Sequence, residues 1–402
     1  MSVEARPTKL PAHPISPGVA HLDVDEVSRV RELERGDWLI VLWKGDLPVG
    51  QCHRTIDANA TLDTDRLLAC AVDRLAALPP KTFDELGPAE SCSAIDASIV
   101  ICTRDRPESL AKCLRSIAQQ TTQPAEIIVV DNASHDDRTR QVAEASDVIY
   151  VRESRPGLDI ARNTGARRAT RAIVAYTDDD VVLHRRWLER LVASFDHPDV
   201  MAVTGLILPA ELATDAQREF ERYWGFGRGY RRIDFGQDFF QRGGPNHECP
   251  TWEIGAGASM AFRRSCFEAA GYFDERLDVG AAGCSGDSEL WYRLLWHGYT
   301  CRYEPSAVAY HSHRREMIDF RRQIFFYMRG QAASLLVQFE RTGHRGNLRP
   351  ILAKLPVSYF QRAVRVARGL GTPRDRTLYA EVTGFLSGIF YYLRTPRRAS
   401  GR

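Results

Sequence analysis

Residues 176–181 read YTDDDV: three consecutive carboxylates, Asp178, Asp179 and Asp180, directly after a short apolar run. Like charges at that spacing repel, so water, an arginine or a divalent cation must offset them. Two carboxylates one residue apart at a strand end can share a Mg2+ or Mn2+ ion, which prefers oxygen ligands and commonly joins protein carboxylates to substrate phosphates. The competing reading is a solvated acidic turn, or an N-cap for the helix expected in LHRRWLERL.

A second acidic stretch, GDSELW, follows Ser285. Capping accounts for it: Ser285 as N-cap, Asp287 and Glu289 in the first turn where the helix dipole favours anions, and Glu289 paired with Arg293 four residues on. The chemical reading makes Asp287 a general base, since an ordinary aspartate pKa of about 3.9 leaves it ionised at neutral pH. In HSH, His311 and His313 are read on opposite sides of a strand, which leaves at most one to reach a cation at the triplet. RPGLDIARN precedes a helix with Arg155 and Arg162, either as anion contacts or as the salt bridges of a surface loop.

The elements that must position these residues alternate. ASIVIC, EIIVV, VIYV and AIVAY read as strands, and PESLAKCLRSIAQQ and LDIARNTGARRA as helices between them. That order predicts an α/β fold with a doubly wound, mostly parallel sheet. In such sheets ligands sit beyond the carboxyl ends of the strands. Arg104, Asp105, Asp131 and Asp178–Asp180 all fall just past strand ends and are expected to converge on one crevice. Beyond about residue 200, RYWGFGRGYRR and GQDFFQRGGPNHECP read as long loops.

Residues 1–20 are Pro-rich and expected to be disordered. Residues 21–92 read as a small α+β module of unknown role, with two strands around a Gly-Asp turn in WLIVLWKGDLPVGQCHRTI and an amphipathic helix in TDRLLACAVDRLAAL. Residues 97–315 are expected to form one α/β domain that carries the acidic strand ends, and 316–402 a helical, basic tail. The net charge of +2 conceals an asymmetry: from Arg314 onward there are 18 Lys/Arg against 5 Asp/Glu, a net of +13, leaving −11 on the rest. A basic tail on an acidic body points to a polyanionic partner. No nucleic-acid motif accompanies the charge, so nucleic acid is not expected, and amphipathic helices such as YFQRAVRVARGL predict peripheral contact with a membrane. No apolar run approaches the length of about 20 residues that spans a bilayer. The polar N-terminus does not read as a secretory signal, and nine scattered cysteines without a C-x-x-C pair fit reduced thiols. The expected location is cytoplasmic, at the inner face of the plasma membrane.

Seven segments in order, VICTRDRPESLAKCLRSI, EIIVVDNAS, RPGLDIARNTGA, YTDDDV, GASMAFRR, CSGDSELWYRL and AYHSHR, resemble inverting family 2 glycosyltransferases of the GT-A fold over roughly residues 97–315. The resemblance implies that Thr103, Arg104 and Asp105 line a nucleotide pocket, that Asp131 contacts base or ribose, and that Arg162 helps hold the nucleotide. It implies that Asp178 and Asp180 hold a divalent cation with His311 nearby, that Asp178 and Asp179 contact the nucleotide sugar, and that Asp287 deprotonates the acceptor hydroxyl. The reaction implied moves a sugar from a nucleotide-diphosphate sugar to a glycan or lipid-linked acceptor, as in polysaccharide and cell-envelope synthesis. Two departures stand out: the family often has Glu-Asp where this chain has Gly286-Asp287, and Asn where it has Ser259. A nucleotidyltransferase would be expected to carry a Gly-rich loop where CTRDRPES stands. A non-catalytic nucleotide-sugar binder would tolerate loss of the base or of a metal ligand, and both are retained.

Overall fold

The computed structural model describes residues 15–57, 64–71, 75–76 and 94–395. A nine-stranded sheet carries the molecule. Its left half is built as the alternation predicts. β5 (Ile95–Thr103), α2 (Pro107–Ala118), β6 (Pro124–Asn132), α3 (Arg138–Glu144), β7 (Ile149–Glu153), α4 (Leu158–Arg168) and β8 (Ile173–Asp178) wind β7, β6, β5 and β8 into one parallel array. β5 and β6 are apolar and almost wholly buried over Ile99–Cys102 and Ile128–Val130, as strands covered by helices on both faces must be.

After β8 the order departs from simple alternation. A tight turn leads into β9 (Val181–Leu183), α5 (Trp187–Ala193) follows, and β10 (Val200–Pro209) runs parallel to β8 without touching it. β12 (Ser259–Arg263) fills the gap, antiparallel to both. β13 (Thr300–His311) lies parallel beside β10, and β11 (Ile233–Phe235) closes that edge. Six of the nine strands therefore share one direction, and the sheet is mostly parallel as expected. RYWGFGRGYRR is only partly loop, because its first residues finish α6 (Asp215–Trp224), whose Thr214 closes a capping box with Gln217.

The expected disorder over 1–20 does not extend to its last residues; 1–14 lie outside the described residues. β1 (Ile15–Ser16) and β2 (Val19–Asp23) pair with each other, and β2 adds in parallel to β3 (Gly36–Lys44). β3 turns through Gly45-Asp46 into β4 (Leu47–Ile56), and α1 (Thr64–Leu68) packs on the sheet through Leu67. Apolar alternation was too short to reveal β2, which is held by its neighbour strand and by Pro17 O accepting from Leu212 N at 2.7 Å. The module is clamped to the large sheet through the β3–β4 turn. Asp46 accepts from Arg185 at 2.6 and 3.2 Å, the Asp46 carbonyl accepts from Arg190 at 2.8 Å, and Trp43 stacks on His184.

α7 (Gly286–Trp296) precedes β13, and three α-helices follow it in the described chain: α8 (Met317–Thr342), α9 (Leu355–Ala367) and α10 (Leu378–Arg394). Helix is what the sequence predicts from 316 onward, but α8 packs into the body at the start of α7. A Cβ at Gly330 would stand 2.4 Å from the Cys284 carbonyl oxygen, and Cys284 Sγ donates to the carbonyls of Phe326 and Tyr327 at 3.6 and 3.7 Å. The loop that launches α7 is thus pinned beneath α8. Gly384 and Gly388 have a packing role on α10: each presses against α8, where a Cβ would meet the carbonyl oxygens of Phe325 and Arg329 at 2.2 Å.

Candidate active site

The crevice forms where β5, β6 and β8 end. β8 stops at Asp178, and Asp179 and Asp180 fill the turn into β9. β9 pairs with β13 so that Val181 sits opposite His311, which sets the His311 ring beside the turn. Arginines flank the triplet on both sides. Arg106 Nη1 donates to Asp179 at 3.1 Å and Asp180 at 3.2 Å, and Thr103 Oγ1 donates to Asp179 Oδ2 at 2.7 Å. Arg162, buried on α4, holds Asp159 at 3.1 Å and lies 3.8 Å from Asp178. The repulsion within the triplet is therefore partly offset by arginine.

The offset is incomplete. Burial, opposed by Arg162 and reinforced by Asp180, Asp179 and Asp287, raises Asp178 to about 7. Burial, opposed by Arg162 and reinforced by Asp278 and Asp287, raises Asp159 to about 8. Arg162 itself is raised: burial acts against its charge, and Asp159, Asp178 and Asp287 outweigh it.

Asp287 closes the far side of the crevice. Gly257, in the loop before β12, comes so near that a Cβ there would stand 2.5 Å from Arg162 Nη2 and 2.8 Å from Asp287 Oδ2. One buried guanidinium therefore faces Asp159, Asp178 and Asp287. The capping account of this segment holds only in part. Ser285 has φ 83° and makes no side-chain cap, so the first turn is held instead by Asp287 Oδ1 accepting from Ser288 N at 2.7 Å. The Glu289–Arg293 pair is present and buried, with both Glu289 oxygens accepting at 2.9 Å. Asp287 Oδ2 is left facing the crevice.

His311 and His313 do not diverge. Residues two apart share a face of a strand, and the rings meet at 3.1 Å between their Nδ1 atoms. His313 then reaches Glu221 on α6 at 3.1 Å, whereas His311 Nε2 lies 3.6 Å from Asp180. Burial pushes His311 down to about 4 against the pull of Asp180, with His313, Arg314 and Arg106 adding to the fall. The ring is neutral at pH 7 and has a lone pair to offer. The cation set expected from sequence is half assembled: His311 faces Asp180 while Asp178 turns toward Arg162. Among the described residues, no three His, Cys, Asp or Glu side chains close on one point. The donor chemistry, two carboxylates and a neutral imidazole, nevertheless fits Mg2+ or Mn2+, and a positive ion would relieve the like-charge repulsion that raises Asp178.

The remaining residues form a second polar cluster at the ends of β6 and β7. Asp131 is fully buried, and its Oδ2 accepts from Tyr150 Oη at 2.7 Å and Arg152 Nη1 at 2.6 Å. Asp105, at φ 55°, accepts from the His135 backbone and ring at 2.7 Å each. Arg104 is exposed, 3.7 Å from Asp105, and neither touches the triplet. Arg155 pairs at the surface with Glu153 and Glu275, away from Arg162. Ser259, where the family pattern often has Asn, is buried and accepts from Trp187 Nε1 at 2.9 Å.

Three participants escaped the sequence reading. Arg106 was signalled only by standing in the same strand-end loop as Arg104. Asp159 lies one helical turn before Arg162, an i,i+3 spacing that could have drawn notice. Gly257 is visible only in three dimensions. The start of α4, which aims Arg162, is capped from 120 residues away: Asp278 accepts from Leu158 N at 2.5 Å and Ile160 N at 3.1 Å.

Residues 98–271 match the family described as Glycosyl transferase family 2. A pre-mycofactocin glycosyltransferase of Mycobacterium tuberculosis is 30% identical over 256 residues, 62% of this chain and 50% of that one. The amylovoran biosynthesis glycosyltransferase AmsE of Erwinia amylovora is 26% identical over 284 residues, 65% of this chain and 95% of that one. This chain spans about half the length of the first of these relatives. Among solved structures, the mannosyltransferase PcManGT of Pyrobaculum calidifontis, in complex with GDP-Man and Mn2+, superposes with a TM-score of 0.49 at 19% identity over 75% of this chain and 89% of that one.

Proposed function

The chain belongs to glycosyl transferase family 2 through residues 98–271, and on that premise we propose that it moves a sugar from a nucleotide-diphosphate donor to an acceptor hydroxyl, with inversion, in a single displacement. The observation that carries this reading is the gathering of Asp178 at a strand end and Asp287 at a helix start around the buried Arg162. The first is an anchor for the diphosphate side of a donor, and the second a base for an acceptor.

The roles follow from position. Asp131, itself fully buried, would act by holding Tyr150 and Arg152 at the end of β6, toward the base or ribose. Arg106 and Arg162 supply positive charge on either side of the diphosphate. Asp178 and Asp180, with His311, would hold a divalent cation, which when bound neutralises charge on the departing nucleotide diphosphate. Asp287 Oδ2 takes the acceptor proton while Oδ1 stays tied to Ser288 N. The freed oxygen attacks the anomeric carbon as the bond to the diphosphate oxygen breaks on the opposite face. A positioned base of this kind contributes about 10²–10⁴-fold. The acceptor class we assign is a glycan or lipid-linked hydroxyl.

The test is release of free nucleoside diphosphate from a panel of UDP- and GDP-sugars with Mn2+. Release from one donor, abolished by EDTA and restored by Mn2+, is expected. No release from any donor, with or without a glycan or polyprenyl acceptor, would overturn the reading.

A further inference from the structure

The last two helices are amphipathic with their apolar sides outward. On α10, Tyr379, Leu386, Phe390 and Leu393 recur at helical spacing along one face and are 54–82% exposed. The opposite face, through Gly384, Phe385 and Gly388, packs on α8 and α9. A surface helix ordinarily turns its charges to solvent. Here the outward arc carries a single charge, Arg394, whose guanidinium sits 3.9 Å over the Phe390 ring.

The helix α9 repeats the inversion. Pro356, Val357, Phe360 and Ala363 face outward, with Phe360 71% exposed. The polar side is turned inward only in part: Arg362 pairs with Asp375 and Glu381 at 2.8 Å each, while Gln361, Arg365 and Arg368 border the face and stay exposed. The preceding turn exposes Leu352. No described helix is long and apolar enough to cross a membrane.

We infer that this face docks on the interface of an anionic lipid bilayer. Apolar residues in that orientation call for an apolar environment, and the charge selects which one. Between residues 343 and 395 there are nine Lys/Arg against two Asp/Glu. Both acids, Asp375 and Glu381, are already paired with arginines. A second copy of the chain would bring the exposed cations at the edge of the face, Arg365, Arg368 and Arg394, against their like. An anionic leaflet brings the opposite charge, and exposed Leu, Phe and Tyr enter its headgroup boundary while arginines at their edges meet phosphates.

The experiment is flotation of the full chain with vesicles of phosphatidylcholine alone and of phosphatidylcholine with about 30 mol% phosphatidylglycerol. The wild type is expected to float with the anionic vesicles, weakly with the neutral ones, and less as salt rises. The double variant Phe360→Asp/Leu386→Asp changes only exposed side chains. It should lose at least about tenfold in partitioning, with unchanged melting temperature and nucleotide release. Equal flotation of wild type and variant, or no flotation of the wild type, overturns the inference. So does a wild-type dimer in solution that the same variant dissolves without any vesicle binding.

Discussion

Replacing Arg162 with methionine keeps most of the side-chain length and removes the charge that three carboxylates share. At an effective dielectric of about 20, a unit pair at the 3.1 Å separation from Asp159 is worth about 5 kcal/mol and one at the 3.8 Å separation from Asp178 about 4 kcal/mol. These are gross attractions. Burial of the guanidinium opposes both, and the Asp178 side chain, 32% exposed, is partly screened by water. The net loss on deleting one partner of a buried pair is about 3–5 kcal/mol. Its pH dependence identifies the cause. Asp159 and Asp178 already bind protons more tightly in the folded chain than in the unfolded one, and without Arg162 their folded pKa values rise further. Folded protein then holds the extra protons, so stability falls as pH increases from about 4 upward through those raised values. Urea unfolding of Arg162→Met should therefore show the full deficit at pH 8 and a deficit smaller by about 1–2 kcal/mol at pH 5.5, where protonation relieves the uncompensated carboxyls. An equal deficit at both pH values, or one below about 1 kcal/mol, would refute the idea that Arg162 is the common counter-ion of the site.

Asp287→Asn should lower kcat by about 10²–10⁴-fold with nucleotide affinity near wild type by calorimetry; a variant that only melts earlier and keeps its kcat would return Asp287 to a helix-start role. Asp180→Asn removes the carboxylate nearest His311 and should weaken Mn2+ binding at least about tenfold by equilibrium dialysis, and wild-type affinity in that variant would remove Asp180 from the cation site. Asp46→Ala strips Arg185 of its partner at the module clamp and should cost about 1–3 kcal/mol, read by urea unfolding. Loss of trypsin protection between residues 24 and 57 should accompany it, and an unchanged digestion pattern would show that the clamp does not hold the module.

The left half of the sheet was legible because each of its strands is a short apolar run bounded by polar residues, and because its acids stand just past strand ends. The i,i+4 pair Glu289–Arg293 was legible for the same local reason. What failed to show in the sequence depends on partners far along the chain. β12 enters between β8 and β10 after about 50 residues that follow β10, so alternation alone places it nowhere. Ser285 has the right side chain for a cap and the wrong backbone, because Cys284 beneath α8 constrains the approach. The tail looked separable by charge, yet α8 carries the glycine that seats the Asp287 loop. The histidines were misassigned by a simpler fault, a mistaken strand parity.

The glycine at 286 removes an acid from its usual column but not from the site. A Cβ there would stand 1.9 Å from Asp159 Oδ2, so the space next to Asp287 is already filled by a carboxylate arriving from α4. A carboxyl at this point is kept by volume rather than by register: the two positions compete for one cell, and only one of them can bear a side chain. Comparison column by column would score Gly286 as a loss and Asp159 as unrelated. Grouped by location, they share one slot beside Asp287, which α4 fills in this chain, and moving its donor to α7 means changing both positions together.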